Sequence, residues 1–197
     1  MDAKIQKSFE EIKEEILKKA IENDACNSGI NDAKNTSNTL ELLLVIKKHI
    51  RWLIQSKTID AEWLEECFGT KLLWANHIYT SGQHHIHLDE DKSYGVVTLG
   101  RSSATVKTLG SSSATVETWD SSSATVETWD SSSATVKTLG SSSATVETWD
   151  SSSATVAFYN SSKLTHSLGS GICPTIKHLT EKKVFVKTSS FEVVQIN

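Results

Sequence analysis

The first third of the chain has its hydrophobic residues at helical spacing. Five apolar residues recur three or four positions apart, with charged residues between them: Ile5, Phe9, Ile12, Ile16 and Ala20. This pattern predicts an amphipathic helix with one solvated, charged face. Asn23 and Asp24 are expected to end it.

More helices are predicted between residues 26 and 75. Cys26, Ile30 and Ala33 suggest a short second helix. Asn38 is a suitable N-terminal cap for a longer helix from Thr39 to about Gln55. Asp60 can cap a fourth helix that ends near Gly69. The predicted apolar face of the long helix comprises Leu40, Leu43, Leu44, Ile46, Ile50, Trp52, Leu53 and Ile54.

The middle of the chain is a tandem repeat of ten residues. Six units run without interruption from Arg101 to Asn160, and the commonest form is SSSATVETWD. Ala, Val and Thr at positions four, six and eight alternate with polar residues, which predicts a strand with a small-residue inner face. Each unit ends in Gly, Asp or Asn, which tolerate positive φ, and serines follow. Each unit therefore predicts one strand and one corner.

Two ways of folding the array are open at this point. One unit is too short to close a coil, because ten residues extend only about 33 Å. Two units per coil give a flattened β-solenoid that buries its own small residues, and this is the favoured interpretation. The alternative is an antiparallel meander, which would need another layer to cover its apolar face.

The predicted fold class is α+β, with a small N-terminal helical cap, a β-solenoid and a short C-terminal β cap. The expected domains are a helical head over 1–80, a repeat array over 81–170 with regular units at 101–160, and a β cap over 171–197. Residues 93–100 resemble a degenerate unit, and residues 161–170 keep fragments of one. Val184 to Val186 and Phe191 to Ile196 predict two closing strands that protect the last edge.

The units ATVKTLG and ATVETWD resemble the ATVxAYD/ATVxTWD-type decapeptide arrays of some bacterial and phage-associated proteins. The resemblance covers roughly Val96 to Asn160. It implies a β-solenoid and no particular activity, since the group has no common function.

Composition argues against several functional classes. The net charge of −4 gives no general attraction to phosphate or anionic lipid, so no nucleic-acid or membrane partner is expected. The longest apolar run, Leu42 to Ile46, is far shorter than a membrane span. The N-terminus has no signal-peptide pattern, and the three cysteines lack metal-like spacing. A cytoplasmic protein without a cofactor is therefore expected.

One histidine-rich segment is a weak candidate metal site. On a strand His85 and His87 share one face, as paired ligands do, and His84 lies beside them. The simpler interpretation is that Ile86 and Leu88 point inward and leave the histidines in solvent. No HExxH or CxxC motif supports a metal, so none is predicted.

The ninth position of each unit supplies the candidate binding surface. If alternation continues, the aromatic residues there point outward and form ladders that can stack a sugar or contact a protein. They can also fold over the corners or join two solenoids. The candidate residues are Trp119, Trp129, Trp149 and Tyr159.

The sequence favours a non-enzymatic repeat scaffold that binds a protein partner or a second copy of itself. A glycan binder that uses the aromatic ladder is the main alternative. An acidic DNA-mimicking decoy is a further one, because residues 101–160 carry 3 basic and 6 acidic residues. The last alternative is an enzyme with a metal at the histidines.

Overall fold

The chain forms two compact units, a helical unit over Met1–Ala75 and a solenoid unit over Asn76–Asn197. A computed structural model describes residues 7–89 and 92–159, together with the backbone of four later strands. These strands are Lys163–Leu168, Thr175–His178, Lys183–Lys187 and Phe191–Gln195.

The helical unit contains five helices among the described residues. They are α1 (Phe9–Glu22), α2 (Asn27–Lys34), α3 (Thr39–Lys48), α4 (Ile50–Gln55) and α5 (Ala61–Ala75). Ile12, Ile16 and Ala20 are buried on α1, as the spacing predicts, and Asn23 forms its C-terminal cap. The predicted end at Gly69 is also confirmed, because φ of 68° and ψ of 149° interrupt α5 there.

The single long helix predicted from Thr39 to Gln55 is wrong in two respects. His49, with φ of −103° and ψ of 11°, separates α3 from α4. Leu40 and Leu44 are 44% and 48% exposed, whereas they were expected to be buried. The buried stripe is formed by Leu42, Leu43, Ile46, Ile50 and Leu53. Leu40 and Leu44 lie one turn apart outside this stripe. The predicted apolar face was therefore too wide, because it included every leucine of this run except Leu42.

The solenoid unit contains parallel strands that alternate between two sheets. The strands before the regular array are β1 (Ile78–Tyr79), β2 (Gln83–Leu88) and β3 (Ser93–Thr98). Those of the array are β4 (Ser103–Thr108), β5 (Ser113–Thr118), β6 (Ser123–Thr128), β7 (Ser133–Thr138), β8 (Ser143–Thr148) and β9 (Ser153–Phe158). The last four, named above, are β10 to β13.

Sheet pairing settles the number of units in a coil. One sheet has the order β1-β3-β5-β7-β9-β11-β12-β13, and the other has the order β10-β8-β6-β4-β2. Each regular strand therefore pairs in parallel with the strand two units away, for example Ala114 with Ala134 and Val116 with Val136. Two units per coil is confirmed, and the antiparallel meander is wrong.

The degenerate flanks also join the stack. Strand β3 pairs in register with β5, and β10 pairs in register with β8. Strands β12 and β13 then add to β11 in antiparallel fashion, as expected for closing strands. Their side chains and the corners between them lie outside the described residues.

Small side chains fill the space between the two sheets. In the regular units, Ala at position four, Val at position six and Thr at position eight are buried, except for the last unit, where Phe158 replaces Thr and is partly buried. The residues between them point outward and are partly or fully exposed. The period-two pattern therefore identifies the core of the array correctly.

Each corner from the one after β3 to the one after β8 has a residue with left-handed φ and a buried serine. Asp120, Asp130 and Asp150 have φ of 55–58°, and glycines occupy the same position in other units, with φ of 61–70°. The serine two residues later is at most 2% exposed throughout the array. Its hydroxyl spans two coils: Oγ of Ser122 lies 3.1 Å from the carbonyl of Thr98 and 2.7 Å from that of Trp119.

Candidate functional site

The two-unit coil separates the aromatic positions onto two edges of the solenoid. The corners after β3, β5, β7 and β9 form the first edge, whose ninth-position residues are Leu99, Trp119, Leu139 and Tyr159. The corners after β4, β6 and β8 form the second edge, with Leu109, Trp129 and Trp149. The four candidate residues therefore do not form one continuous surface.

On the first edge, Trp119 belongs to the core. It lies in the corner between those of Leu99 and Leu139, and its exposure is only 4%. The indole Nε1 is buried and has no hydrogen-bond partner in the described part of the chain. Tyr159, at the next corner of this edge, is partly exposed. A buried ring offers little contact area to a ligand, so Trp119 is a poor candidate for recognition.

On the second edge, Trp129 and Trp149 form a stacked, partly exposed pair. Their ring centroids lie 5.0 Å apart, and the ring planes differ by 10°. Lys107, from the preceding coil, places Nζ 4.6 Å from the centroid of Trp129. The indole Nε1 of Trp129 donates a hydrogen bond to Glu127. This edge therefore has an ordered aromatic patch with a cation and a carboxylate at its border.

The charged residues on the outer faces are largely arranged in opposite pairs. Nζ of Lys137 lies 2.7 Å from Oε1 of Glu117 on one sheet, and Lys107 lies 4.0 Å from Glu127 on the other. Glu147 is the cross-strand neighbour of Glu127, which places two like charges side by side. These pairings follow from stacking units two apart, and they divide the acidic residues between two faces.

The histidine segment divides across the two faces of β2. His84 pairs with Ala104 in the inward register, and its ring lies 4.2 Å from that of Tyr79. His85 and His87 are exposed on the outer face, while Ile86 and Leu88 are buried. Within residues 7–89 and 92–159, no group of three or more His, Cys, Asp or Glu side chains could hold a metal.

A second candidate site lies in the helical unit and has no motif in the sequence. Gly29 lies beside both Cys26 and His49: a Cβ built on Gly29 would be 3.7 Å from Sγ of Cys26 and 3.8 Å from Nδ1 of His49. The other ring nitrogen, Nε2, lies 3.1 Å from Oδ2 of Asp32. Hydrogen bonds from Lys48 and His49 lower the pKa of Asp32.

These groups adjoin an apolar cavity of about 270 Å³. Its walls come from α1, α2, α3 and α4, and include Ile16, Ala20, Ile30, Ala33, Val45 and Leu53. Cys26 and His49 also line it. Sequence reasoning could not find this site, because Cys26, Asp32 and His49, separated by six and seventeen positions, match no spacing rule.

In the described part of the chain, no helix is both long and apolar enough to cross a membrane. Comparison with protein-family models, curated proteins and solved structures gave no match.

Proposed function

We propose that the protein is a non-enzymatic scaffold that associates with a second copy of itself through the second edge of its solenoid. The regular array stacks equivalent positions of the repeat in columns, with one position per coil about every 4.8 Å. Such a surface is suited to a partner with the same repeat. A two-fold axis would then bring each patch against its own equivalent.

The observation that carries this proposal is the partly exposed pair of Trp129 and Trp149. Large aromatic residues are enriched at protein interfaces, where they contribute much of the binding energy. Here they recur on one edge and in register, with Lys107 and Glu127 beside them. Two copies could bury the rings while the charged residues form the border of the interface.

Two alternatives receive less support from the geometry. A sugar stacks on the face of an aromatic ring, but Trp149 covers one face of Trp129 and Lys107 approaches from the neighbouring coil on the other side. A DNA-mimicking surface needs dense negative charge, but Glu117 and Glu127 are paired with lysines. Protein contact therefore remains the better supported function.

A cytoplasmic location is part of the same proposal. Cys26 and Cys67 are both free thiols, as expected in a reducing compartment. Fractionation of cells that express the tagged full chain would test this, and recovery in an oxidising compartment would contradict it.

The test is the mass of the protein in solution, measured by light scattering over a range of concentrations. We expect a wild-type dimer and a monomeric Trp129→Ser/Trp149→Ser variant with unchanged far-UV circular dichroism. The matched control is Thr115→Ser, which alters an exposed position on the other sheet and should leave the dimer intact. A wild-type protein that stays monomeric at all concentrations would overturn the proposal.

A further inference from the structure

We propose that the helical unit carries a covalent binding site for a small apolar acyl group, with Cys26 as the nucleophile and His49 as its base. The acyl group would occupy the cavity beside Cys26. This inference uses only the helical unit, so it does not depend on self-association of the solenoid.

The cavity has the size and lining of a small-ligand site. An apolar cavity of about 150 Å³ already binds benzene, and the present one is larger, at about 270 Å³. Its walls are mostly aliphatic, and Cys26 and His49 are among its few polar lining residues. Ligand sites typically combine an apolar lining with a small number of convergent polar groups.

The side chains around Cys26 are suited to activating a thiol. An ionised carboxylate can only accept hydrogen bonds, so Asp32 fixes a proton on Nε2 of His49. The neutral imidazole then has its lone pair on Nδ1, and Nδ1 and the Sγ of Cys26 lie 3.8 Å and 3.7 Å from the point that a Cβ on Gly29 would occupy. A base oriented by a third group is the usual arrangement for an activated cysteine. Cys26 is also the N-cap residue of α2, and its side chain makes no capping hydrogen bond.

The reaction we infer is a thioester exchange. The Cys26 thiol gives its proton to Nδ1 of His49, and the sulfur attacks the carbonyl carbon of an acyl thioester. A bond forms between Sγ and the acyl carbon, and the bond between that carbon and the donor sulfur breaks. The departing thiolate takes the proton back from His49, so no oxidant or reductant is needed.

The other described thiol is unsuited to this chemistry. Cys67 is fully buried in α5, and burial raises the pKa of its thiol to about 11. Cys26 is exposed, so a donor in solution can reach it while the acyl chain enters the cavity.

The experiment uses the full chain and two thioesters of N-acetylcysteamine, one octanoyl and one acetyl. Intact mass spectrometry follows the reaction with time in a Cys67→Ala/Cys173→Ala background, which leaves Cys26 as the only thiol. We expect addition of a single octanoyl group, at least about tenfold faster than acetyl addition because the longer chain buries more CH₂ groups. His49→Gln should slow both reactions roughly a hundredfold, as expected for loss of a general base.

A cavity variant separates binding from simple thiol reactivity. Ala33→Phe fills the cavity and should abolish the preference for octanoyl over acetyl, whereas Ala33→Ser should keep that preference. Val45→Phe, at a less buried wall position, replaces Ala33→Phe if that variant fails to fold. Equal rates for the two thioesters in the background protein, or no effect of His49→Gln, would overturn the proposal.

Discussion

Alanine at the fourth position of each regular unit sets how closely the two sheets can approach. Ala114 and Ala134 are neighbours across adjacent coils, and both are buried. The column is continuous, so one large residue would displace the strands above and below it. Interiors are packed to near-crystalline density and absorb added volume poorly.

Replacing Ala134 with Glu should therefore destabilise the array by several kcal/mol, since a charge would be buried without a partner. Chemical denaturation measures the change. The matched control is Thr135→Glu, which places the same side chain on the outer face of the same strand and should cost far less. Equal stability of the two variants would contradict the inward placement.

The buried corner serines should matter more than their exposed neighbours. Oγ of Ser122 accepts from the backbone N–H of Trp119 and lies 3.1 Å from Oγ1 of Thr98, in addition to the two carbonyls described above. Ser122→Ala should cost about 1–3 kcal/mol, because it leaves buried polar groups without a partner. Ser121→Ala, at the exposed position next to it, should be nearly neutral in the same denaturation experiment.

At the scale of single elements, the strands were easier to predict than the helices. Each strand repeats the same alternation, so six copies reinforce one interpretation, and β4 to β9 lie where the period placed them. No sequence signal predicts the helix break at His49, because Val45 to Leu53 contains neither Gly nor Pro. Tertiary packing decides such a break, and local propensity does not reveal it.

The capping box of α1 was not predicted, although its pattern is present in the sequence at Ser8 and Glu11. Ser8 accepts from the backbone N–H of Glu11, and the Glu11 carboxylate accepts from the backbone N–H of Ser8. The S-x-x-E pattern before an apolar run is the expected signature.

Glu15 gives the helical unit a pH-dependent stability. Partial burial alone would raise the pKa of Glu15, but hydrogen bonds from Lys19, Lys7 and Trp63 lower it to about 2. Because the folded-state pKa lies below the ordinary value of 4.5, the contribution is complete above about pH 4.5. It is lost as the pH falls towards 2.

Thermal denaturation between pH 5 and pH 2 should therefore show a falling stability of the helical unit, and Glu15→Gln should flatten that dependence. Glu14→Gln, the neighbouring carboxylate on the same helix, is the matched control. Identical pH profiles for wild type and Glu15→Gln would contradict the assignment.

At the scale of the whole molecule, coil phase should govern which deletions are tolerated. Removing 121–140 deletes β6 and β7, one strand from each sheet, and leaves every later strand in its own sheet. The shortened protein should fold, because stability in such arrays depends on contacts between neighbouring coils.

Removing only 121–130 should be worse, because every strand after β5 would change sheets: β10 would join the sheet of β3 and β5, and β11 to β13 would join the sheet of β2 and β4. Circular dichroism and thermal melting compare the two deletions. Equal tolerance would argue that the terminal strands do not depend on the sheet they join.

The architecture could be predicted because one physical pattern recurs along the chain. The candidate sites were less accessible to sequence reasoning. The ninth-position aromatics looked equivalent, but a two-unit coil places Trp119 on one edge and Trp129 and Trp149 on the other. The cluster of Cys26, Asp32 and His49 depends on helix packing, for which residue spacing gives no rule.

The two-unit coil also affects how duplication of repeat units distributes side chains between the two sheets. Residues 131–150 repeat residues 101–120 except at the first position, and the match continues weakly into the next unit, so the chemical pattern recurs every three units. The coil closes every two, so a three-unit duplication moves each copied strand to the opposite sheet. Lys107 and Lys137 consequently lie on different faces, each beside a glutamate. Duplication of an odd number of units would thus place the same outward side chains on both faces of the molecule. Duplication of whole coils would instead return each copied strand to its original sheet.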